Sequence, residues 1–360
     1  MNELRDILHD SVTRLFDDGV TREVLTQAET GTWPAELWDA LEENGLTRPL
    51  TPESQGGVGA LWADAFVILR AAGRSGAPVP LAETIAAAWL ADRAGLDVPA
   101  GPLTVASAAQ APSLSLEQRD GGWCLSGVMT AVPWGRHARH VVTVIHRDGA
   151  AHLAMARPED ADISDDMNIA REPRDTLIFD AAPVEAVALS GQDTAGDIVR
   201  CYGAMARSAQ MAGGIERALA ESVQYAKDRI QFGRPIAKFQ AIQHQLAMVA
   251  AQSAQATIAA ETAFAAADRG HPAFEVACAK IVAGDAAGTA TAVAHQVHAA
   301  IGFTYEHALQ FTTRRLWSWR AEYGAEADWA ERLGRDAAAR GAAEFWPDMT
   351  ARQAGDPAGP

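Results

Sequence analysis

Apolar positions along this chain change rhythm twice. Up to about residue 100 they recur at helical spacing. Trp33-Pro34 opens a segment whose Leu37, Trp38 and Leu41 share one face, and Asn44-Gly45 supplies a C-terminal stop. A glycine-rich turn over Thr51–Gly59 follows, without the strand-glycine-helix context of a dinucleotide fingerprint. Pro78-Val79-Pro80-Leu81 then leads into an alanine-rich helix. Between about 102 and 190 the runs become short, β-branched or aromatic: Trp123-Cys124-Leu125-Ser126, His140–Ile145 and Thr176-Leu177-Ile178-Phe179. Asp120-Gly121-Gly122 and Arg147-Asp148-Gly149 between them read as hairpin turns. From about 193 the helical period returns, with Ile215, Leu219, Val223 and Ile230 on one stripe and Phe239, Ile242, Leu246 and Val249 on another. Further helices are expected over Phe274–His298, Thr304–Arg320 and Asp328–Ala343. The pattern predicts an α+β chain, mainly α. A helical domain spans 1–101, a small antiparallel β domain 102–192 and a C-terminal four-helix bundle 193–346. A flexible, glycine- and proline-rich tail spans 347–360.

Composition narrows the class. Hydrophobic residues make up 48% of the 360, enough for a sizeable core in more than one subdomain. Acidic residues outnumber basic ones by 46 to 30, and a formal charge of −16 disfavours nucleic acid and anionic membrane. Cys124, Cys201 and Cys278 are widely separated, which argues against a disulfide framework or a zinc cluster. The opening Met1-Asn2-Glu3-Leu4-Arg5-Asp6 lacks the basic start of a signal peptide, and no apolar run approaches the roughly 20 residues of a membrane span. A cytoplasmic protein is expected.

The densest chemistry lies in Asp228-Arg229-Ile230-Gln231-Phe232-Gly233-Arg234-Pro235-Ile236, followed by Phe239-Gln240-Ala241-Ile242-Gln243. An arginine, glutamines and aromatics between two apolar helices form a grip for a flat, phosphate-bearing ligand. Together with Pro52-Glu53, Gly56-Gly57, Pro78, Pro80-Leu81, Gln296, Gly302-Phe303-Thr304, Glu306 and Arg314-Arg315, this spacing resembles the acyl-CoA dehydrogenase family across essentially the whole chain. The resemblance implies FAD as cofactor, an acyl-CoA thioester as substrate and removal of hydrogen across its Cα–Cβ bond. A carboxylate takes the α-proton, a step in which a general base contributes on the order of 10²–10⁴-fold, and the flavin is the electron sink.

The resemblance offers two positions for that carboxylate. Counting from Phe232-Gly233 the first falls on Gly203, and counting from Gly302 the second falls on Tyr323-Gly324. Neither is an acid, and a tyrosine of reference pKa about 10 is a poor base. Glu322 adjoins the second position, but one residue along a helix rotates a side chain by roughly 100°, so the catalytic residue is left unassigned. The resemblance places each flavin between two subunits. The half donated to a partner matches here: Arg229, Gln231, Phe232, Phe239, Gln240 and Gln296, with Ala299-Ala300 replacing paired glycines. The receiving half does not. Its Thr-Glu-Pro-Gly type segment has become Ala106-Ser107-Ala108-Ala109-Gln110-Ala111-Pro112, and only Val132-Pro133-Trp134-Gly135 represents its tryptophan strand.

A chain that keeps what it gives and lacks what it needs resembles the supporting subunit of those family members that are heterotetramers acting on bulky, including steroid, acyl-CoA substrates. A homo-oligomer remains open, as does a flavin-free scaffold on the same fold. The small residues Gly203, Ala204, Ala206, Ser208 and Ala209 suit either a bulky acyl group or tight helix packing. His295 and His298 are three apart but lack further ligands at metal spacing. Arg314-Arg315 suits phosphate or salt bridges equally. Trp317 and Trp319, two apart, cannot both face one core stripe, so one is expected to meet a partner subunit.

Overall fold

The structure, a computed structural model, describes residues 3–119, 121–189, 197–270 and 272–353. Five helices come first: α1 (Glu3–Gly19), α2 (Arg22–Glu29), α3 (Ala35–Glu43), α4 (Trp62–Ser75) and α5 (Leu81–Arg93). Asn44 caps α3 and Gly45 follows at φ 69°, the left-handed stop its sequence foretold. Leu37, Trp38 and Leu41 are buried in the core that α3 shares with α4 and α5.

Seven strands follow: β1 (Leu103–Ala106), β2 (Ser115–Arg119), β3 (Gly122–Pro133), β4 (His140–Arg147), β5 (Ala150–Ala156), β6 (Asp162–Ser164) and β7 (Arg174–Ala188). Their order is β1-β4-β5-β7-β3-β2, with β6 paired on β7. Asp148 and Gly149, at φ 52° and 80°, join β4 to β5 with Arg147 opposite Ala150. In the other expected hairpin turn Asp120 lies outside the described residues. The antiparallel expectation needs one correction: β1 and β4 run parallel, Leu103 opposite His140. The chain leaves β1, completes the β2–β3 hairpin, and returns to lay β4 along the same edge, where Arg139 N donates to Pro102 O.

The second half is α6 (Ile198–Asp228), a short hairpin of β8 (Ile230–Gln231) and β9 (Arg234–Pro235), α7 (Gln240–Asp268), α8 (Ala273–His298), α9 (Leu309–Ala321), α10 (Glu326–Arg340) and α11 (Ala342–Gln353). Helices α6 to α9 pack as a bundle around Met211, Ile215, Val249, Ala287 and Leu316. Contrary to expectation, Ala273–Phe303 is long and apolar enough to cross a membrane. That apolarity serves the bundle, because Ala279, Ala283, Ala287 and Ala290 are all buried there. Helix α9 starts five residues later than expected, after a 3-10 turn over Ala299–Phe303. Thr304 Oγ1 donates to Ile301 O and His307 Nδ1 accepts Leu309 N, so side chains close the turn and delay the helix. Helix α11 carries regular structure past Trp346 to Gln353, where a loose tail was expected. The 192/193 boundary and residues 354–360 of the tail lie outside the described residues.

The N-terminal helices meet the bundle backbone to backbone. A Cβ on Gly73 of α4 would lie 2.1 Å from Gln210 O, and one on Gly213 of α6 would lie 2.0 Å from Arg70 O. Neither atom can yield without moving a helix. Gly73→Ala and Gly213→Ala should each cost about 3 kcal/mol by overpacking. Gly334→Ala, where a Cβ meets nothing within 4 Å, should instead stabilise α10 by about 0.5–1 kcal/mol. Urea melts of the three variants check the contrast.

Candidate functional site

One end of the bundle gathers the residues of the donated half. Helices α6 and α8 both finish there, because the Tyr225 ring in the last turns of α6 stacks on His298 in the last turn of α8 at 4.4 Å. The β8–β9 hairpin and the Ala299–Phe303 turn are therefore neighbours at this end. At the hairpin tip Phe232 takes φ 52° and Gly233 φ 77°, and Phe232 is 92% exposed. Its ring meets Phe239 edge-on at 6.1 Å, and the Arg234 guanidinium lies 4.3 Å over Phe239. Arg229, Gln231, Gln240, Gln296 and Ala300 are exposed. Among the described residues Gln231 Nε2 donates to its neighbour Ile230 O, at 2.8 Å. Helix α7 opens at Gln240 with no side-chain cap; Phe239 O accepts from Ile242 N and Gln243 N, which leaves the N–H groups of Gln240 and Ala241 as its uncapped donors. Such an end suits a phosphate. Ala299 takes φ 53°, ψ −139°, a conformation natural to glycine, which agrees with the glycine that the resemblance expects there.

A chamber of about 840 Å³ lies between the β domain and the end of α9, beside the segments that stand where the resemblance expects the receiving half. Ser107, Gln110, Ala131 and Pro133 form one wall and Trp317, Ser318, Ala321 and Glu322 another. Its strand-side polar groups are already paired within the chain. Gln110 Oε1 accepts Ser107 N at 2.9 Å, and Gln110 Nε2 donates to Ala131 O at 2.7 Å. Trp134 is buried against Trp33 and His137 and is not on the chamber wall.

Behind Glu322 lies a buried chain of alternating charge. Arg207 on α6 donates to Glu83 on α5 and, at 2.7 Å, to Glu322. Arg174 at the start of β7 approaches the other oxygen of Glu322 at 2.7 Å and Glu172 at 3.1 Å. Arg315 of α9 stands 3.2 Å from Glu172, which also accepts Trp319 Nε1 at 3.2 Å. Beneath it, Lys280 donates to Trp319 O and Arg320 O at 3.2 and 2.6 Å, fixing the end of α9 from which Glu322 projects. Burial alone would push the Glu322 carboxyl up, but Arg174 and Arg207 outweigh it and hold it down at about 2. Such a carboxylate is a weak acceptor for a proton near neutral pH. Tyr323 is no substitute, because burial and then Glu83 push its hydroxyl up. A Cβ built on Gly203 would stand 2.6 Å from the Tyr323 ring, so the two expected base positions meet in one place.

The remaining candidates settle into packing. His295 lies between Phe303 and Trp317, at 4.2 and 5.5 Å, with Nε2 3.1 Å from Thr313 Oγ1. Arg314 pairs with Glu29, so both arginines of the pair meet carboxylates. Trp319 is 2% exposed and Trp317 40%, so they face different ways. Sequence reasoning missed Glu83, Glu172, Arg174 and Arg207. Glu83 and Arg207 carried one signal, a charge inside an apolar run, as in Leu81-Ala82-Glu83-Thr84 and Met205-Ala206-Arg207-Ser208, whereas Glu172 and Arg174 lie in the charged run Arg171-Glu172-Pro173-Arg174-Asp175 and carried none.

Residues 2–97 match the family model for the acyl-CoA dehydrogenase N-terminal domain, and residues 202–336 that for the C-terminal domain. Acyl-CoA dehydrogenase IpdE2 of Mycolicibacterium smegmatis is 28% identical over 321 residues, 88% of this chain and 93% of that protein. IpdE2 of Mycobacterium tuberculosis is 31% identical over 78% of this chain and 79% of its own length. Among solved structures, a chain of the ChsE4-ChsE5 complex from Mycobacterium tuberculosis superposes with a TM-score of 0.85 at 22% identity, covering 93% of this chain and 97% of that one. A chain of a variant Tcur3481-Tcur3483 steroid ACAD gives 0.85 at 26% identity, covering 95% and 99%.

The ion chain makes the fold acid-sensitive. Glu322 is held below its ordinary value of 4.5, so its contribution is complete above about pH 4.5 and is lost as pH falls towards 2. That contribution is roughly 3 kcal/mol, read as a fall in urea midpoint across this window. Arg207→Ala strands the buried Glu83 carboxylate and leaves Glu322 to Arg174 alone, and should cost about 3–5 kcal/mol, whereas Arg207→Met with Glu83→Gln should cost less than half of that.

Proposed function

The chain belongs to the acyl-CoA dehydrogenase family, and on that premise we propose that it is the supporting subunit of a hetero-oligomeric, FAD-dependent acyl-CoA dehydrogenase. The observation that carries this reading is the contrast between one end of the bundle and the cleft. Arg229, Gln231, Phe232, Gln240 and Gln296 stand exposed at one end of the bundle. In the cleft, the carboxylate beside the expected base position is locked between two arginines.

In this reading a glutamate of the partner removes the α-proton of an acyl-CoA thioester. The FAD, when bound, supplies the acceptor for the β-hydride. This chain's part is binding and placement. Arg229 and the open N-terminus of α7 offer positive charge and N–H donors to phosphate. Phe232 and Phe239 offer rings against which a flat group packs. Gln296 and Ala300 close the grip from the end of α8. That the ChsE4-ChsE5 and Tcur3481-Tcur3483 structures are complexes of two named chains supports a mixed assembly. The description of the latter as a steroid ACAD favours a bulky acyl substrate, in fatty-acid or steroid side-chain degradation.

The chain purified alone should retain little FAD in its visible spectrum. Co-expression with a glutamate-bearing relative should yield a complex with about one FAD per pair of chains. Arg229→Ala or Gln296→Ala should lower flavin affinity of that complex about tenfold each, as loss of a charge-assisted contact does, without dissociating the subunits. One FAD per chain in the isolated protein would sink the supporting role. A stable complex that never takes up flavin would leave the scaffold reading, to which the methyl groups of Ala299 and Ala300 already lend some weight.

A further inference from the structure

Two positions 120 residues apart, Gly203 on α6 and Tyr323 just beyond α9, face each other across the cleft, and the space between them is filled. A Cβ on Gly203 would stand 2.6 Å from the Tyr323 ring. Arg207, one turn further along α6, carries its guanidinium 5.7 Å over the same ring. That guanidinium is itself immobilised, donating to Glu83, Gln210 and Glu322. The seam left between α5, β1 and α6 at this point has no room for a water molecule. Small side chains normally widen such a cleft, yet Ala82, Ala86, Gly203 and Ala206 only make room for the ring and the guanidinium. The open chamber stops at this barrier, with Glu322 and Tyr323 on its wall.

We infer that Tyr323 and Arg207 close this subunit to acyl groups, so that in the mixed oligomer a thioester is seated only on the partner. The inference deepens the supporting-subunit reading and rests on it for the assembly, but the barrier is a property of this chain alone. It assigns a specificity role to two residues that touch no substrate. Tyr323 takes the volume that an acyl chain would fill, and Arg207, pinned by Glu83 and Glu322, keeps the ring from swinging aside. Apolar chain carbons enter a groove only if they leave water, and here the groove is occupied by the protein itself.

The test compares octanoyl-CoA with free CoA by calorimetry on the full chain, so that binding through the nucleotide end cancels. The wild-type chain should bind the two with affinities in a ratio near one. Tyr323→Ala, and separately Arg207→Met with Glu83→Gln, should raise the preference for octanoyl-CoA at least about tenfold, with near-ultraviolet circular dichroism confirming a packed fold. A marked octanoyl preference in the wild type would overturn the inference, as would folded variants whose ratio stays near one. If neither variant folds, the wild-type complex decides: one octanoyl-CoA bound per pair of unlike chains supports the barrier, and two overturns it. Loss of flavin from the complex with a wild-type ratio still near one would fault the assembly reading while leaving the barrier standing.

Discussion

Everything in the middle of this molecule is arranged around one chain of alternating charges: Glu83, Arg207, Glu322, Arg174, Glu172 and Arg315. Its members come from α5, α6, the residue after α9, the start of β7, the loop before it, and α9. Three carboxylates face three guanidinium groups, so the set is neutral as a whole. Neutrality matters because burying a lone charge costs several kcal/mol, and only close, hydrogen-bonded partners offset it. Arginine suits the task better than lysine, since its planar fork can address two carboxylates at once. Arg207 and Arg174 do this, each with a shared hold on Glu322. The consequence for the fold is directional. Hydrophobic packing tolerates sliding between layers, whereas an ion chain with fixed geometry specifies how the N-terminal helices, the sheet and the bundle sit together.

The same set shapes the character of the cleft. A cleft that must admit a ligand has to keep polar groups unpaired until the ligand arrives. Here those groups have been turned upon one another. Gln110 bonds Ser107 and Ala131, Glu322 bonds two arginines, and Tyr323 lies against Gly203. At the far end of the bundle the opposite holds. Phe232 and Phe303 stand in solvent, and Ala299 keeps a backbone conformation that its own side chain disfavours. A strained alanine persists when the surrounding turn demands the shape, and in this turn Phe303 is stacked on His295.

What could be read beforehand was what local spacing encodes. The stop at Asn44-Gly45, the Asp148-Gly149 turn and the loop between α6 and α7 each depend on residues within a few positions of one another. The order of helical domain, sheet and bundle followed from the change in period. Contacts between distant segments were not legible. Glu322 drew notice because it adjoins an expected base position, but its partners Arg174 and Arg207 lie 148 and 115 residues away. Nothing near Glu322 announces them. The parallel β1–β4 pair was hidden for the same reason, since strand direction is set by the path of the intervening hairpin. The late start of α9 depended on His307 accepting a backbone N–H, a competition that periodicity does not record.

The contact of α4 with α6 through Gly73 and Gly213 bears on how such a chain can diverge. Each glycine lets a helix backbone touch the carbonyl of the other, so the positions form a lock whose two parts lie 140 residues apart, 213 less 73. A side chain at either one would force the helices apart, and no compensating substitution at the other could draw them back. The residues that line the chamber take no part in this crossing. The two glycines serve the shape of the molecule and not its chemistry. A change in the cleft therefore leaves the crossing untouched, whereas a side chain at either glycine disturbs the packing of α4 on α6 and with it the frame that every site shares.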